Sequence, residues 1–183
     1  MLEKWTLRKT EKILDSEWVK VRKDSVDLPN GSSIDDFYVV TIKEAAAIVA
    51  LDTEGSIILK TEYRYTYDKE LIEIPAGCFE NDETDGLAVA KRELLEETGY
   101  VSDEWQYLGA TIESSSKLNN HMHIYFADHC RKVSDQKLDE TEEVNVLVVP
   151  FEKAVEMVMM NEICCNSSAH GILRVAGMKG GLL

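Results

Sequence analysis

Three prolines and four cysteines in 183 residues leave little room for a loop-rich or disulfide-stapled protein. Cys78, Cys130, Cys164 and Cys165 form no Cys-x-x-Cys pair and no framework of spaced bridges, so reduced thiols and a cytoplasmic setting are expected. No apolar run approaches the ~20 residues that a spanning helix requires, which argues against a membrane protein. The opening MLEKWTLRKTEK lacks the apolar core of a signal peptide. Positive charge is also scarce: 20 Lys and Arg stand against 34 Asp and Glu, a net charge of −14. Phosphate backbones are gripped by clusters of Lys and Arg, so the charge argues against a nucleic-acid groove. A small phosphorylated substrate remains compatible if metal ions supply the positive charge. Repeats and low-complexity linkers are absent too, and the length suits one domain with a small appended element.

What is present concentrates between Ile74 and Tyr100, IPAGCFENDETDGLAVAKRELLEETGY. The segment reads as a strand end, a tight Pro-Ala-Gly turn, an acidic loop and a helix from about Asp85 to Thr98. On that helix Leu87, Ala90, Leu94 and Leu95 form an apolar stripe, with the stem of Lys91 packing beside it. Glu93, Glu96 and Glu97 follow at i, i+3 and i+4, so three carboxylates leave one face within a turn. Like charges this close destabilise a helix unless a cation lies among them. Hard divalent cations take oxygen ligands and bridge carboxylates to phosphates. The carbonyls of Ala76 and Gly77 come near the same place as the turn folds back. A metal site for phosphate chemistry is the expectation.

The same residues resemble the Nudix box, Gly-x5-Glu-x7-Arg-Glu-U-x-Glu-Glu-x-Gly-U with U apolar. Arg92 to Tyr100 matches its second half, and Gly77 and Glu83 match its first. Eight residues, not seven, separate Glu83 from Arg92, and the additional one is expected to bulge before the helix. Glu62-Tyr63-Arg64, followed by Glu70 to Gly77, is similar to the Gln-Tyr-Arg … Glu-Leu-Pro-Ala-Gly signature of the ADP-ribose and ADP-sugar pyrophosphatase branch, with Glu62 in place of Gln. Ser114-Ser115-Ser116 lacks the proline of the Ser-Pro-Gly turn that ADP-ribose hydrolases often carry.

The resemblance implies an α/β fold, the Nudix α/β/α sandwich with a mixed sheet, over residues 43–183. A small N-terminal β-sheet element over 1–42 is implied to mediate a homodimer and to bind the base, with Trp18 and Phe37 stacking on it. The implied activity is Mg2+-dependent (or Mn2+-dependent) hydrolysis of a nucleoside diphosphate sugar, ADP-ribose or an ADP-sugar, to a nucleoside monophosphate and a sugar phosphate. The alternatives are another Nudix substrate (GDP-mannose, a dinucleoside polyphosphate, an oxidised nucleotide) or a non-catalytic nucleotide-sensing module. Glu93 and Glu97 are the implied main metal ligands, completed by Glu96 and the Ala76 carbonyl. Gly77, Arg92 and Gly99 shape the box, Arg92 by pairing with the carboxylates. Arg64 and Glu73 are implied to contact substrate. Glu140 or Glu142, in the acidic run before the strand Val144 to Val149, is implied as the base, with Glu96 next. In an extended loop Glu140 and Glu142 point one way and Glu143 the other.

The remaining pattern supplies the frame. Trp18 to Arg22 and Phe37 to Ile42 read as strands around the turn Leu28-Pro29-Asn30-Gly31. Ala45 to Leu51 and Ser56 to Tyr63 read as a hairpin, and Leu71 to Ile74 as a short strand. Trp105 to Glu113 and His121 to Ala127 read as strands joined by a polar loop. Helices are expected from Phe151 to Met160 and from about Asn166. His121 and His123 share a strand face and could ligate a metal, but no third ligand stands at a recognisable spacing. Ser114 to Ser116 with His121 lack the Gly-x-Ser-x-Gly elbow of a hydrolase triad.

Overall fold

The computed structural model describes residues 2–80 and 83–180, so Asn81 and Asp82 of the acidic loop lie outside it, as do the chain ends. Two compact units divide the chain: residues 1–44 with 112–121, and residues 45–111 with 122–183.

The first unit is an antiparallel sheet of β1 (Thr6–Asp15), β2 (Val19–Asp27) and β3 (Ser33–Ile42), in that order. The β2–β3 turn sits where Leu28 to Gly31 places it. Gly31 adopts φ 85°, donating its N–H to the Leu28 carbonyl at 3.0 Å. Strand β1 is an addition to the two strands expected. All ten of its residues are exposed, and its sequence TLRKTEKILD mixes charges into both faces, so no period-2 signal marks it. It is held by pairing with β2 and by Asp24, a buried carboxylate that accepts from Thr10 and from Arg22 at 2.9 Å. The polar loop expected at 114–120 is longer, because the flanking strands end at Thr111 and begin at Met122, and it returns to β3: Val40 donates to the Lys117 carbonyl at 2.8 Å.

The second unit is built on a mixed sheet of β4 (Ala45–Asp52), β5 (Ser56–Arg64), β6 (Lys69–Glu73), β7 (Ala76–Cys78), β8 (Tyr100–Val101), β9 (Glu104–Thr111), β10 (Met122–Lys132) and β11 (Val144–Pro150). Its spine runs β11-β5-β4-β10-β8, with β6 on β5, β7 on β4 and β9 on β10. Among the described strands of this sheet, the β4–β10 pairing alone is parallel. Strand β4, AAAIVALD, is buried along Ala45–Leu51, and its alternate residues enter two separate cores. Ala46, Ile48 and Ala50 pack with Val89, Ala90 and Leu94 of α1 (Gly86–Thr98). Ala47, Val49 and Leu51 pack with Phe151, Ala154 and Met157 of α2 (Phe151–Met159) and with Ile172 and Val175 of α3 (Asn166–Lys179). Helices therefore cover both faces of a central strand, the expected sandwich. On α3, a Cβ at Gly171 would lie 2.9 Å from the Val49 side chain, so the missing side chain lets the helix approach. No described helix is long and apolar enough to cross a membrane.

Helix α1 runs unbroken from its N-cap Asp85, which accepts from the Leu87 and Ala88 amides, to Gly99 in the left-handed conformation at φ 76°. The additional box residue thus precedes the helix, and the carboxylates stay in phase. The apolar stripe needs one correction. Val89 is buried, while Leu95 is exposed, because the buried face is rotated toward Glu93 and Glu97. Lys91 is exposed with its ammonium 5.9 Å from the centre of the Trp105 ring.

Candidate active site

Strand β7 places the Pro-Ala-Gly turn. Gly77 pairs with Ala46, and the Pro75 carbonyl accepts from Ile48 N–H at 2.9 Å. Against this strand lies the buried face of α1. A Cβ at Gly77 would fall 2.0 Å from the Glu93 carboxyl group, so a side chain there would push that carboxylate from its place. Glu97, also buried, accepts from the Ala76 N–H at 2.9 Å through one oxygen and from Lys60 Nζ through the other.

Burial dominates the electrostatics here. It pushes the Glu97 carboxyl up to about 7, against the opposing pull of Lys60 and the Ala76 amide, and Glu93 adds to the rise. Burial also raises Glu93; Arg92 opposes this, while Glu96 and Glu142 reinforce it. Burial disfavours the charge on Arg92, yet its carboxylate partners outweigh that and hold it above its ordinary value. Arg92 reaches Glu93 at 2.8 Å, Glu83 at 3.1 Å, Glu96 at 3.2 Å and the Cys78 carbonyl at 3.2 Å. It is the hub that holds the box together, and Glu83 is one of its partners.

The second cluster lies on β5 and β6. Arg64 clasps one oxygen of Glu73 through two nitrogens at 2.9 and 2.5 Å, and meets Glu62 at 2.7 Å. The Cys165 thiol donates to the other Glu73 oxygen at 2.7 Å. Lys60 bonds Glu62 at 3.1 Å and also Glu97, so the chain Arg64–Glu62–Lys60–Glu97 ties this cluster to the helix carboxylates. Lys60, Glu62 and Cys165 were not singled out from sequence as site residues. Two-residue spacing puts Lys60 and Glu62 on one face of β5, a usable signal for that pair. Cys165, 92 positions from Glu73, offers none.

The acidic loop enters from the C-terminal end of α1. Gln136 donates to the Glu97 carbonyl at 2.6 Å and to the Val144 carbonyl at 3.0 Å, and Lys137 N–H to the Glu96 carbonyl at 2.8 Å. The loop is turned, not extended: Glu142 N–H bonds the Asp139 carbonyl at 3.0 Å, and the Glu142 carboxylate accepts from Asp139 N–H at 3.1 Å. A turn stabilised by its own acidic side chain overrides the alternation expected of a strand, so Glu140 and Glu142 do not share a direction by pleat. Of the two, Glu142 is the one whose charge bears on Glu93.

Among the described residues no three His, Cys, Asp or Glu side chains are gathered as a ready cation cage, because Arg92 and Lys60 hold the carboxylates. The donor set nonetheless fits a hard divalent cation: buried carboxylates short of positive charge, beside a glycine whose missing side chain leaves room at Glu93. His121 pairs with Glu44 at 3.2 Å in the first unit. In the second, His123 packs against Phe79 and meets the Tyr107 hydroxyl at 3.0 Å. Trp18 is exposed with Lys43 Nζ 4.2 Å above its ring, and Phe37 meets the edge of Trp5 and lies 4.9 Å from Lys117 Nζ.

Comparison with known proteins agrees with the arrangement. The NUDIX domain family matches residues 41–162, and the nucleoside diphosphate sugar hydrolase N-terminal domain matches residues 5–40. The chain is 33% identical over 156 residues to the methanol dehydrogenase activator of Bacillus methanolicus, covering 85% of this chain and 83% of that one. It is 31% identical over 172 residues to the ADP-ribose pyrophosphatase of Bacillus subtilis (strain 168), covering 93% and 91%. The fold superposes on a crystal structure of an ADP compounds hydrolase with a TM-score of 0.84, at 20% identity, over 100% of this chain and 97% of that one. With its box residues gathered around Arg92 and its sandwich complete, the chain belongs to the Nudix hydrolase family, in the branch of the ADP-ribose and nucleoside diphosphate sugar pyrophosphatases.

Proposed function

We propose that the protein hydrolyses the diphosphate of a nucleoside diphosphate sugar, ADP-ribose or an ADP-sugar, to a nucleoside monophosphate and a sugar phosphate. The observation that carries this is the buried pair Glu93 and Glu97, set against the Gly77 turn with too little positive charge around them. Glu93, Glu96, Glu97 and the Ala76 carbonyl would hold Mg2+ or Mn2+, which supplies charge neutralisation at the diphosphate and activation of water. Arg92 orients the carboxylates. Glu142 takes the proton of the attacking water as its oxygen bonds to phosphorus and the bridging P–O bond breaks. Its charge is felt at Glu93, which makes it a better candidate than Glu140. Arg64, clasped by Glu73, offers its guanidinium to the diphosphate or sugar.

The N-terminal sheet serves as the homodimer contact and presents Trp18 and Phe37 to the base. This reading is supported by β1, exposed at all ten positions and bearing Leu7, Ile13 and Leu14. Four free thiols suit a reducing compartment, the cytoplasm. The test is phosphate release, coupled to a phosphatase, over ADP-ribose, ADP-sugars, GDP-mannose and dinucleoside polyphosphates, with Mg2+ or with chelator. Metal-dependent turnover greatest on an ADP-sugar is expected. Greatest turnover on GDP-mannose or a dinucleoside polyphosphate replaces the substrate assignment, and turnover in chelator removes the metal.

A further inference from the structure

Among the described residues, Lys60 is the largest side chain that is fully buried. An ammonium group out of water is costly unless carboxylates compensate it. Two do: Glu62 at 3.1 Å, from the same face of β5, and Glu97 from α1. The branch signature has Gln where Glu62 stands, so this chain carries one more negative charge at that point and a buried lysine beside it.

The two halves of the carboxylate face are thereby unequal. Glu93 and Glu96 meet one cation, Arg92, which also serves Glu83 and the Cys78 carbonyl and keeps a quarter of its side chain in solvent. Glu97 is buried with one oxygen on Lys60 and the other on the Ala76 amide. A divalent ion approaching Glu96 meets a partly solvated carboxylate, and the buried Glu93 pairs with an Arg92 that is itself partly solvated. One approaching Glu97 must share it with a fixed ammonium whose charge repels the ion at short range in a poorly screened interior.

We propose that Lys60 is a built-in cation of the active site, competing with divalent metal for Glu97 and so limiting how many ions the carboxylate face takes and how tightly. The inference rests on the metal reading of that face proposed above. Lys60 acts through Glu97 and is a positioning residue; it neutralises and orients that carboxylate before any metal arrives.

The experiment is Mn2+ titration followed by calorimetry and by electron paramagnetic resonance, on wild type, Glu93→Gln, Lys60→Met and the double variant Lys60→Met/Glu97→Gln. Wild type must bind Mn2+ and Glu93→Gln must weaken it; failure of either removes the metal reading itself, whatever Lys60 does. Given that binding, Lys60→Met is expected to take one more ion or to bind about tenfold tighter, since a unit charge is removed at contact distance. The double variant is expected to lose that gain. If Lys60→Met is unfolded in chelator, circular dichroism should show it fold as Mn2+ is added, the metal replacing the ammonium. An unchanged ion number and affinity in Lys60→Met overturns the proposal. So does a gain that survives in the double variant, or a Lys60→Met chain that stays unfolded at saturating Mn2+.

Discussion

Strands β4 and β1 show two ways of holding a sheet together. Ala45 to Leu51 of β4 is sealed from water and feeds a separate apolar cluster on each face. Every residue of β1 is exposed, and its unit relies on pairing with β2, one buried aspartate and ion pairs such as Arg8 with Asp27 at 2.9 Å and Lys23 with Glu11 at 3.1 Å. Exposed ion pairs contribute little, with a median of about 0–1 kcal/mol each. Burial of a whole aliphatic side chain contributes roughly 1.5–3 kcal/mol. The second unit accommodates two buried carboxylates, Glu93 and Glu97, on one helix face, where the N-terminal sheet buries one, Asp24, between Thr10 and Arg22. Under the proposed function, chemistry belongs to the second unit, and recognition and assembly to the exposed sheet.

The sharpest way to break that division is to compare a carboxylate with an aromatic. Glu93→Gln should lower kcat by about a thousandfold or more while the protein stays folded, since it removes one charge from the metal ligand set without changing its volume. Trp18→Ala should raise KM for the nucleotide by about tenfold with kcat nearly intact, as expected if the ring only stacks on the base. Steady-state kinetics on both decides it. A Trp18 variant that loses kcat instead would place chemistry in the first unit as well.

Next in size is the base. Glu142→Gln should lower kcat by about a hundredfold with metal affinity nearly unchanged, a magnitude ordinary for loss of a general base. Glu140→Gln should cost much less, because Glu142 is the one of the two whose charge bears on Glu93. Equal losses would mean that the loop rearranges when substrate binds.

These predictions draw on a site that sequence made legible only in part. Helix α1 was readable because its N-cap Asp85, its 3.6-residue periodicity and its Gly99 stop all agree. The hairpin of Ala45 to Leu51 with Ser56 to Tyr63 is readable because Asp52 and Gly55 bring turn chemistry, Asp52 accepting from Glu54 and Ser56 amides at 2.9 and 2.8 Å. Strand β1 was hidden because its partner is another polar strand and nothing apolar covers its face. Leu95 was misplaced for the opposite reason: hydrophobicity located the stripe, while Glu93 and Glu97 had displaced it. The turn at 139–142 is not visible in the sequence because a side chain bonding nearby backbone leaves no periodic trace. Lys60 stayed hidden because its meaning depends on Glu97, 37 residues away.

Core packing sharpens the comparison in units of stability. Ile48→Ala, in a fully buried position of β4, should cost about 2–5 kcal/mol. Ile13→Ala, on exposed β1, should cost under about 0.5 kcal/mol in the monomer. Urea unfolding measures both. If the N-terminal sheet closes a homodimer, the Ile13 variant should instead shift the sedimentation profile toward monomer. A wild type that is monomeric at micromolar concentration and fully active would remove the dimer.

The smallest effect concerns Cys165, whose thiol donates to Glu73. Burial, then its hydrogen bond to Glu73, pushes its pKa up to about 12. An ordinary thiol ionises near ~8.5, so between that pH and 12 the folded protein keeps a proton that the unfolded chain releases. Stability from this group is therefore intact below ~8.5 and declines as pH climbs toward 12. The thiolate is the reactive form, so alkylation of Cys165 at pH 9 should be slow in the native protein and rapid in urea. Site-resolved mass spectrometry after iodoacetamide reads this directly. Because the thiol fixes the Glu73 oxygen that Arg64 leaves free, Cys165→Ala should raise KM by about threefold, the scale of one modest hydrogen bond, with kcat unchanged. Cys165→Ser should restore KM, since a hydroxyl can donate in the same place. Equal labelling rates in native protein and in urea would show that the thiol is not held, and the arrangement of Glu73 would then rest on Arg64 alone.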